Sequence, residues 1–177
     1  MLWRSTVQRE DEKKPLGFTP QQQQVQKGDA VFWFNEDSNT EHQPYPKSGA
    51  PGTWGNKIGP QASSIQVNMN KAGTFPYLCA IHEDETATIL VATPINLASG
   101  ANPLFPAVTI NKGESVSWGN ATPNAHRPTS DDTSAAPWLA QDLQSGDLSA
   151  AVAFATPGTY PYHCALHTNE TSTIKVV

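Results

Sequence analysis

Short runs of hydrophobic and aromatic residues alternate with polar stretches along most of the chain. Residues 30–35 (AVFWFN) are rich in β-branched and aromatic side chains, and residues 64–69 (SIQVNM) alternate polar and apolar positions. Short runs of this kind, bounded by turns that contain Gly and Pro, predict β-strands, and no stretch has the apolar period of a long helix. The pattern therefore predicts an all-β chain built from antiparallel β-sandwiches.

The strand pattern occurs twice along the sequence. Residues 116–120 (VSWGN) repeat the pattern of residues 31–35, so that Trp33 and Trp118 occupy equivalent positions at an offset of 85 residues. Both tryptophans lie within apolar runs and are predicted to be core residues. A constant offset of this size predicts two β-sandwich domains in tandem, because about 85 residues are enough for a small core.

The boundary between the halves is predicted from the turn residues that separate two strand signals. Residues 88–91 are predicted to close the first half, and residues 95–97 to form the first strand of the second. The segment between residues 93 and 103 contains Pro94, Gly100 and Pro103. These signals predict one domain over residues 1–92 and another over residues 93–177.

Composition excludes several classes of function. The formal net charge of −5 and the isoelectric point near 5.4 give no indication of a surface for nucleic acid or anionic lipid. No apolar run reaches the roughly 18 residues of a membrane span. Residues 1–14 lack the apolar segment of a secretory signal, which indicates a cytosolic protein or one whose signal has been removed. The charged run at residues 9–14 is predicted to be a solvated loop.

A twelve-residue motif gives the strongest chemical signal. It occurs as residues 75–86 (FPYLCAIHEDET) and residues 160–171 (YPYHCALHTNET). The residues with metal-binding side chains in these copies are Cys79, His82 and Glu85, and Cys164, His167 and Glu170. Equivalent positions of two domains rarely come within the roughly 4.4–6.8 Å between Cα atoms that a disulfide requires. The two cysteines therefore predict a metal site in each half.

Another histidine precedes each cysteine. His42 and His126 both lie two residues before a proline, and their offset is one residue shorter than that of the motif. A loop that differs by a single residue between the two halves would explain this difference. The fifth histidine, His163, directly precedes Cys164, and on a strand its side chain is predicted to point to the opposite face. It is therefore not expected to bind the same metal.

Two imidazoles and one thiolate in each half form a donor set that suits copper. A zinc site with a carboxylate as the fourth ligand is an alternative. Cysteine-protease chemistry is not favoured, since no Cys-His-Asn arrangement on a helix is indicated and the motif occurs twice. At this stage copper is the first interpretation and zinc the second.

The motifs together resemble the cupredoxin family, and the resemblance covers nearly the whole chain. The matching pattern in the first half is Phe18-x-Pro20, then Val25-x-Lys-Gly-Asp-x-Val-x-Trp-x-Asn35, then His42, then Gly73-Thr74-Phe75-x-Tyr77-x-Cys79-x-x-His82, and residues 108–174 match again. The resemblance implies a Greek-key β-sandwich in each half with a mononuclear type 1-like copper at one end. It also implies electron transfer with a redox partner protein, and a periplasmic or extracellular location.

The resemblance also implies which residues bind the metal. His42, Cys79 and His82 would bind one copper, and His126, Cys164 and His167 the other. Asn35 and Asn120 match strand-end positions near the first histidine of each set. They need not contact that histidine.

The chain departs from the family pattern at the axial ligand, where cupredoxins usually have Met. The residue three positions after the second histidine is Glu85 or Glu170, and Met1 and Met69 are the two methionines of the chain. In one interpretation these glutamates are solvated loop residues. In the other their carboxylates are axial ligands, as in sites that resemble red or green rather than blue cupredoxins.

Three functions are compatible with this ligand set. A copper-binding electron carrier is the leading one. A copper-dependent oxidoreductase related to multicopper oxidases or nitrite reductases is an alternative, but such enzymes need further histidines, and His163 alone is left over. Copper storage or delivery would use the same ligands but would not require the bound copper to change oxidation state reversibly. The sequence therefore favours a carrier over an enzyme.

Overall fold

The computed structural model of the chain describes residues 1–8, 17–101, 104–132, 138–139 and 141–177. The charged run at residues 9–14 lies outside these residues. Within them the chain forms fourteen β-strands and no helix, which confirms the all-β prediction. The strands are β1 Leu2–Gln8, β2 Gly17–Thr19, β3 Gln22–Gln26, β4 Ala30–Asn35, β5 Pro44–Pro46, β6 Val67–Asn68, β7 Gly73–Cys79, β8 Thr86–Ala98, β9 Val108–Ile110, β10 Ser115–Ala121, β11 Pro128–Ser130, β12 Val152–Ala153, β13 Gly158–Cys164 and β14 His167–Val176.

The chain divides into two compact units, Met1–Val91 and Ala92–Val177. In the first unit, one sheet has the strand order β2-β1-β4-β6, and the other contains β5, β7, β3 and the first half of β8. Buried side chains from both sheets, among them Val31, Trp33 and Ile89, form one core. The first unit is thus a two-sheet sandwich, and Trp33 is a core residue as predicted.

The second unit repeats this arrangement. One sheet contains the second half of β8 with β10 and β12, and the other has the order β11-β13-β14-β9. Its core includes Ile95, Trp118 and Ile174, each with no exposed surface. In each unit, one neighbour of the tryptophan-bearing strand runs parallel to it. This neighbour is β1 beside β4 in the first unit and the second half of β8 beside β10 in the second.

Strand β8 differs from the prediction of two strands separated by a boundary segment. It runs without a break from Thr86 to Ala98, pairing with β7 up to Val91 and with β10 from Thr93 onward. The same alternation of buried side chains continues through the strand, since Ile89, Val91, Ile95 and Leu97 are all fully buried, and Ala92 is an additional buried residue between the two halves. The run of β-branched residues outweighs the turn signal of Pro94, because a strand tolerates proline where its missing N–H is not needed.

Candidate metal centres

The structure brings the predicted metal-binding side chains together into two groups. In each group one ligand atom from every residue lies within 4.8 Å of the corresponding atoms of the others. We call the groups site 1, which consists of His42, Cys79, His82 and Glu85, and site 2, which consists of His126, Cys164, His167 and Glu170. Each site belongs to one unit. The structure thus presents two sets of four candidate donors.

A tight turn at the end of β7 places three donors of site 1 side by side. The backbone N–H of His82 donates to the carbonyl of Cys79 (3.2 Å), and that of Glu85 donates to the carbonyl of His82 (3.0 Å). The N–H of Cys79 donates in turn to the carbonyl of Glu85 (2.9 Å). These bonds fix the three-residue spacing of Cys, His and Glu in space, which explains why the motif has this spacing.

Site 2 uses the same residues with a shorter connection between strands. Cys164 ends β13, His167 begins β14, and the two residues are paired across the strands. The register shifts between His163 and Cys164, as in a β-bulge. Glu170 therefore lies within a strand, whereas Glu85 lies in a turn before β8. This difference affects how far each carboxylate is exposed.

The first histidine of each site arrives on a separate loop and is held by its backbone. His42 exchanges two backbone hydrogen bonds with Ile58 (3.1 and 2.7 Å), and His126 exchanges two with Leu143 (3.1 and 2.8 Å). The N–H of the following residue donates to the cysteine sulfur, at 3.3 Å in site 1 and 3.4 Å in site 2. Hydrogen bonds therefore fix the histidine loop to the cysteine strand.

The Nδ1 atoms of both histidines face the other donors in site 1. His42 Nδ1 lies 2.9 Å from Glu85 Oε2 and 3.7 Å from Cys79 Sγ. His82 Nδ1 lies 3.6 Å from the same sulfur and 3.6 Å from Glu85 Oε1. The four donors thus surround a common point, with the carboxylate beside both imidazoles.

Site 2 has nearly the same distances. His126 Nδ1 lies 2.9 Å from Glu170 Oε2 and 3.8 Å from Cys164 Sγ. His167 Nδ1 lies 3.5 Å from the sulfur and 3.4 Å from Glu170 Oε2. The geometry of the four donors is therefore repeated, although the loops that carry them differ in length.

The two sites differ in exposure to solvent. The Glu85 side chain is 3% exposed and that of His82 19%, whereas the equivalent side chains Glu170 and His167 are 23% and 40% exposed. Site 1 is the more buried of the two. The interpretation of Glu85 as a solvated loop residue is therefore wrong, since its carboxylate is buried against two imidazoles.

The surroundings of site 1 shift the pKa values of two donors. Burial alone would raise the pKa of the Cys79 thiol, but hydrogen bonds from His42 and from backbone N–H groups outweigh burial and lower that pKa. Burial would lower the pKa of His42, but its hydrogen bonds to Cys79, Glu85 and Asp37 raise that pKa to about 10. The site thus favours a thiolate, which is the form that binds metals.

The Nε2 atom of each first histidine, on the other side of the ring, contacts a residue that the sequence analysis did not identify. Asp37 Oδ2 lies 2.7 Å from His42 Nε2. Thr122 Oγ1 lies 2.9 Å from His126 Nε2. Asp37 and Thr122 occupy equivalent positions in the repeat. A polar side chain therefore contacts Nε2 in both halves, but it is a carboxylate in the first half and a hydroxyl in the second.

Asn35, the last residue of β4, and Asn120, the last but one of β10, position these two residues. Asn35 Oδ1 accepts from the backbone N–H of Asp37 (2.9 Å), and Asn120 Oδ1 accepts from that of Thr122 (2.9 Å). The Asn35 amide also donates to the carbonyl of Ile58, the residue paired with His42. The asparagines therefore shape the turn near the site and do not belong to either group of donors.

Two features of the sequence are common to Asp37 and Thr122, although neither feature alone identifies them as partners of the histidine. Both lie two residues after the repeated asparagine and shortly before the first histidine. The one-residue loop difference lies between them and the histidine, since Asp37 is five residues from His42 and Thr122 is four from His126. A short polar side chain in a turn at this spacing can reach a neighbouring ring.

The fifth histidine is separate from site 2. His163 Nδ1 contacts Asp131 Oδ1, and its side chain is 33% exposed, whereas Cys164 is fully buried. Pairing of β11 with β13 places Thr129 opposite His163. His163 does not belong to the group of site 2 donors, in agreement with the prediction that it points to the other face.

The chemistry of each donor set fits a transition metal. One thiolate, two imidazoles and one carboxylate oxygen are four donors of mixed softness, which suit copper and also satisfy tetrahedral zinc. The affinity of such a site is generally higher for divalent copper than for zinc.

In the part of the chain that the structure describes, no helix is long and apolar enough to cross a membrane.

Comparison with known proteins gives matches among solved structures. No protein-family model matches the chain, and no curated protein matches it. A methionine-to-alanine mutant of amicyanin with Cu(I) matches with 18% identity, covering 51% of this chain and 81% of that one, with a TM-score of 0.43. A purple cupredoxin from Nitrosopumilus maritimus matches with 15% identity, 50% and 98% coverage and a TM-score of 0.44. These similar structures are cupredoxins, the family that the sequence motifs resemble.

Proposed function

We propose that this chain is a tandem cupredoxin-like protein that binds one copper ion in each half and carries electrons. The observation that carries the proposal is the convergence, in both halves, of one cysteine sulfur, two histidine Nδ1 atoms and one carboxylate oxygen within 4.8 Å. Two domains over residues 1–92 and 93–177 would each contain one complete site. The metal ligands would be the eight residues of sites 1 and 2.

The surroundings of the donors suit a copper ion that changes oxidation state. Bound copper would provide a one-electron Cu(II)/Cu(I) couple. The cysteine sulfurs are fully buried and each accepts a backbone N–H bond, which stabilises the thiolate form. The backbone bonds of His42 and His126 hold the imidazoles in place. A donor set that is already in position rearranges little when its charge changes, which favours rapid electron transfer.

We include Glu85 and Glu170 as the fourth ligands. Each carboxylate lies 2.9 Å from the Nδ1 atom of the first histidine and within 3.6 Å of that of the second. A carboxylate brings a negative charge where methionine brings none, so it stabilises Cu(II) and lowers the reduction potential. We therefore expect absorption of the red or green type rather than the blue type.

The edge of each site that reaches solvent supports exchange of electrons with a partner protein. The second histidine is the most exposed donor in both sites, at 19% for His82 and 40% for His167. The preceding residues, Ile81 and Leu166, are 40% and 43% exposed. An imidazole edge beside an exposed aliphatic side chain gives a redox partner a path to the metal.

The resemblance of the sequence motifs to cupredoxins also leads us to propose a periplasmic or extracellular location.

Copper titration of the metal-free protein, followed by absorption spectroscopy, tests the proposal. We expect an intense thiolate-to-copper band that saturates at two copper ions per chain and disappears reversibly on reduction. Zinc should compete without producing a band. Binding without any such band, or a band that reduction and reoxidation fail to restore, would favour zinc binding or copper storage and would contradict the carrier function.

A further inference from the structure

The polar partner of the first histidine gives the two sites different charges. The Asp37 and His42 side chains are 2% and 0% exposed, and their contact is therefore removed from solvent. Thr122 is 4% exposed and occupies the equivalent place in site 2. Counting the thiolate, the carboxylate ligand and this partner, site 1 places three acidic side chains around its imidazoles and site 2 places two.

Both partners accept a hydrogen bond from the histidine ring. The Thr122 hydroxyl lies 2.8 Å from Asn120 Oδ1 and 3.0 Å from the carbonyl oxygen of Asn124, both of which can only accept. It therefore donates to one of them and accepts the Nε2–H of His126. A carboxylate also accepts, so Asp37 takes the Nε2–H of His42. In each site this leaves Nδ1 as the atom that faces the metal donors.

We propose that Asp37 is a positioning residue that makes site 1 the copper site of lower potential, so that in the half-reduced protein the electron resides on site 2. The inference rests on the proposed function, since it concerns copper bound by the two donor sets. The electron comes from any one-electron reductant of suitable potential. No bond forms or breaks in this step; one Cu(II) is reduced to Cu(I) while the reductant loses one electron.

The physical cause is the charge of the histidine partner. A carboxylate that accepts the second N–H of a metal-bound imidazole raises the basicity of that imidazole. A more basic ligand and an additional buried negative charge both stabilise Cu(II) over Cu(I), because a buried charge is screened less than a solvated one. The hydroxyl of Thr122 contributes a dipole without a net charge.

The difference in burial acts in the same direction. With one thiolate and one carboxylate as ligands, reduction leaves each site with a formal charge of −1. Water stabilises this charge better in site 2, where Glu170 is 23% exposed, than in site 1, where Glu85 is 3% exposed. The charge of Asp37 and the burial of Glu85 thus both disfavour reduction of site 1.

The test measures reduction potentials in full-length protein that retains one thiolate site. Cys164→Ser leaves site 1, and Asp37→Asn in this background removes the charge while keeping the shape of the side chain. Cys79→Ser leaves site 2, and Thr122→Asp there introduces the charge. The matched control is Glu41→Gln beside His42, because Glu41 is 53% exposed and loses the same charge without contact to the ring.

We expect Asp37→Asn to raise the potential of site 1 and Thr122→Asp to lower that of site 2. Loss of such a partner typically changes metal affinity by about 10–100-fold. A tenfold change in the ratio of Cu(II) to Cu(I) affinity corresponds to about 59 mV. Glu41→Gln should give a much smaller shift because solvent screens its charge.

Two results would overturn the inference. One is a potential of site 1 that Asp37→Asn changes no more than Glu41→Gln does. The other, which applies even if Asp37→Asn fails to fold, is a potential of site 2 that Thr122→Asp leaves unchanged. The proposed function fails separately: if neither single-site protein shows a thiolate-to-copper band, the chain has no such copper site, whatever Asp37 does.

Discussion

Site 1 and site 2 use the same four donor residues but differ in what surrounds them. The distance from the first histidine Nδ1 to the glutamate oxygen is 2.9 Å in both, whereas the partner of Nε2 is Asp37 in one and Thr122 in the other. The donors of site 2 are also more exposed. The comparison teaches that geometry and electrostatics vary independently here: one donor arrangement is kept while its electrostatic surroundings change.

If both sites bind copper as proposed, this separation would give the repeated site a use beyond doubling its capacity. Two identical sites would share electrons equally, whereas two sites of different potential hold the first electron in a defined place. The asymmetry also extends to the cores, where Trp33 Nε1 donates to the Tyr77 hydroxyl at 3.2 Å, whereas the corresponding interaction of Trp118 with Tyr162 is weaker. The following predictions test the comparison, beginning with the largest effect.

Removal of either thiolate should abolish one site and leave the other. Cys79→Ser and Cys164→Ser should each remove about half of the thiolate-to-copper absorbance, because serine oxygen does not supply the sulfur donor. Titration with copper, read by absorption, measures this loss, and each variant is the control for the other. If one variant lost the whole band, the two sites would not be independent.

Replacement of the glutamates by methionine should move both sites toward blue cupredoxin behaviour. Glu85→Met and Glu170→Met remove a negative ligand, so the potential rises and the copper–thiolate bond strengthens. The effect should be larger for the buried Glu85 than for Glu170, since solvent screens the latter charge. Absorption spectra and potentials measure the change, with the exposed neighbour Glu83→Met as the control. If neither substitution changed the absorption spectrum or the reduction potential, the glutamates would not be metal ligands.

Exchange of the histidine partners should reduce or invert the order of the potentials. The double variant Asp37→Thr with Thr122→Asp moves the negative charge from site 1 to site 2 and keeps the overall composition unchanged. About 59 mV of shift is expected in each site for every tenfold change in relative affinity. Potentiometric titration measures it, with the wild-type protein as the reference. An unchanged gap between the sites would mean that burial alone separates them.

Removal of the tyrosine hydroxyls should reveal the smaller asymmetry between the cores. Trp33 Nε1 donates to the Tyr77 hydroxyl at 3.2 Å, so Tyr77→Phe should cost about 0.5–1.5 kcal/mol of stability. The Tyr162 hydroxyl interacts more weakly with Trp118 and Ser172, without a hydrogen bond of good geometry, so Tyr162→Phe should cost less stability than Tyr77→Phe. Chemical denaturation of the metal-free protein measures both, and equal losses would contradict the comparison.

The residues that the structure brings together in sites 1 and 2 could be selected from the sequence because they repeat. Cys79, His82 and His42 have identical counterparts at offsets of 85, 85 and 84 residues, which distinguishes them from ordinary loop residues. Comparison of the halves gives no such signal for Asp37, because its counterpart is Thr122. Its role depends on a turn shaped by Asn35, which only the three-dimensional arrangement reveals.

Prediction of the fold from the sequence is limited in the same way, because some features depend on distant parts of the chain. The strand pattern predicts an all-β chain and the tryptophan cores, since alternation and aromatic content are local properties. The continuous strand β8 was not predicted, because Pro94 and Gly100 indicate a boundary segment there. Whether the chain turns or continues at such a proline depends on which neighbouring strands pair with it, here β7 and β10. That pairing is not a local property of the sequence.

A potentiometric titration of the fully copper-loaded wild-type protein tests the central claim most directly. Its absorption bands can be assigned with the spectra of the Cys79→Ser and Cys164→Ser variants. We predict two resolved one-electron steps in which site 2 is reduced first, at the higher potential, and site 1 second. A single step for both sites, or reduction of site 1 before site 2, would contradict the account.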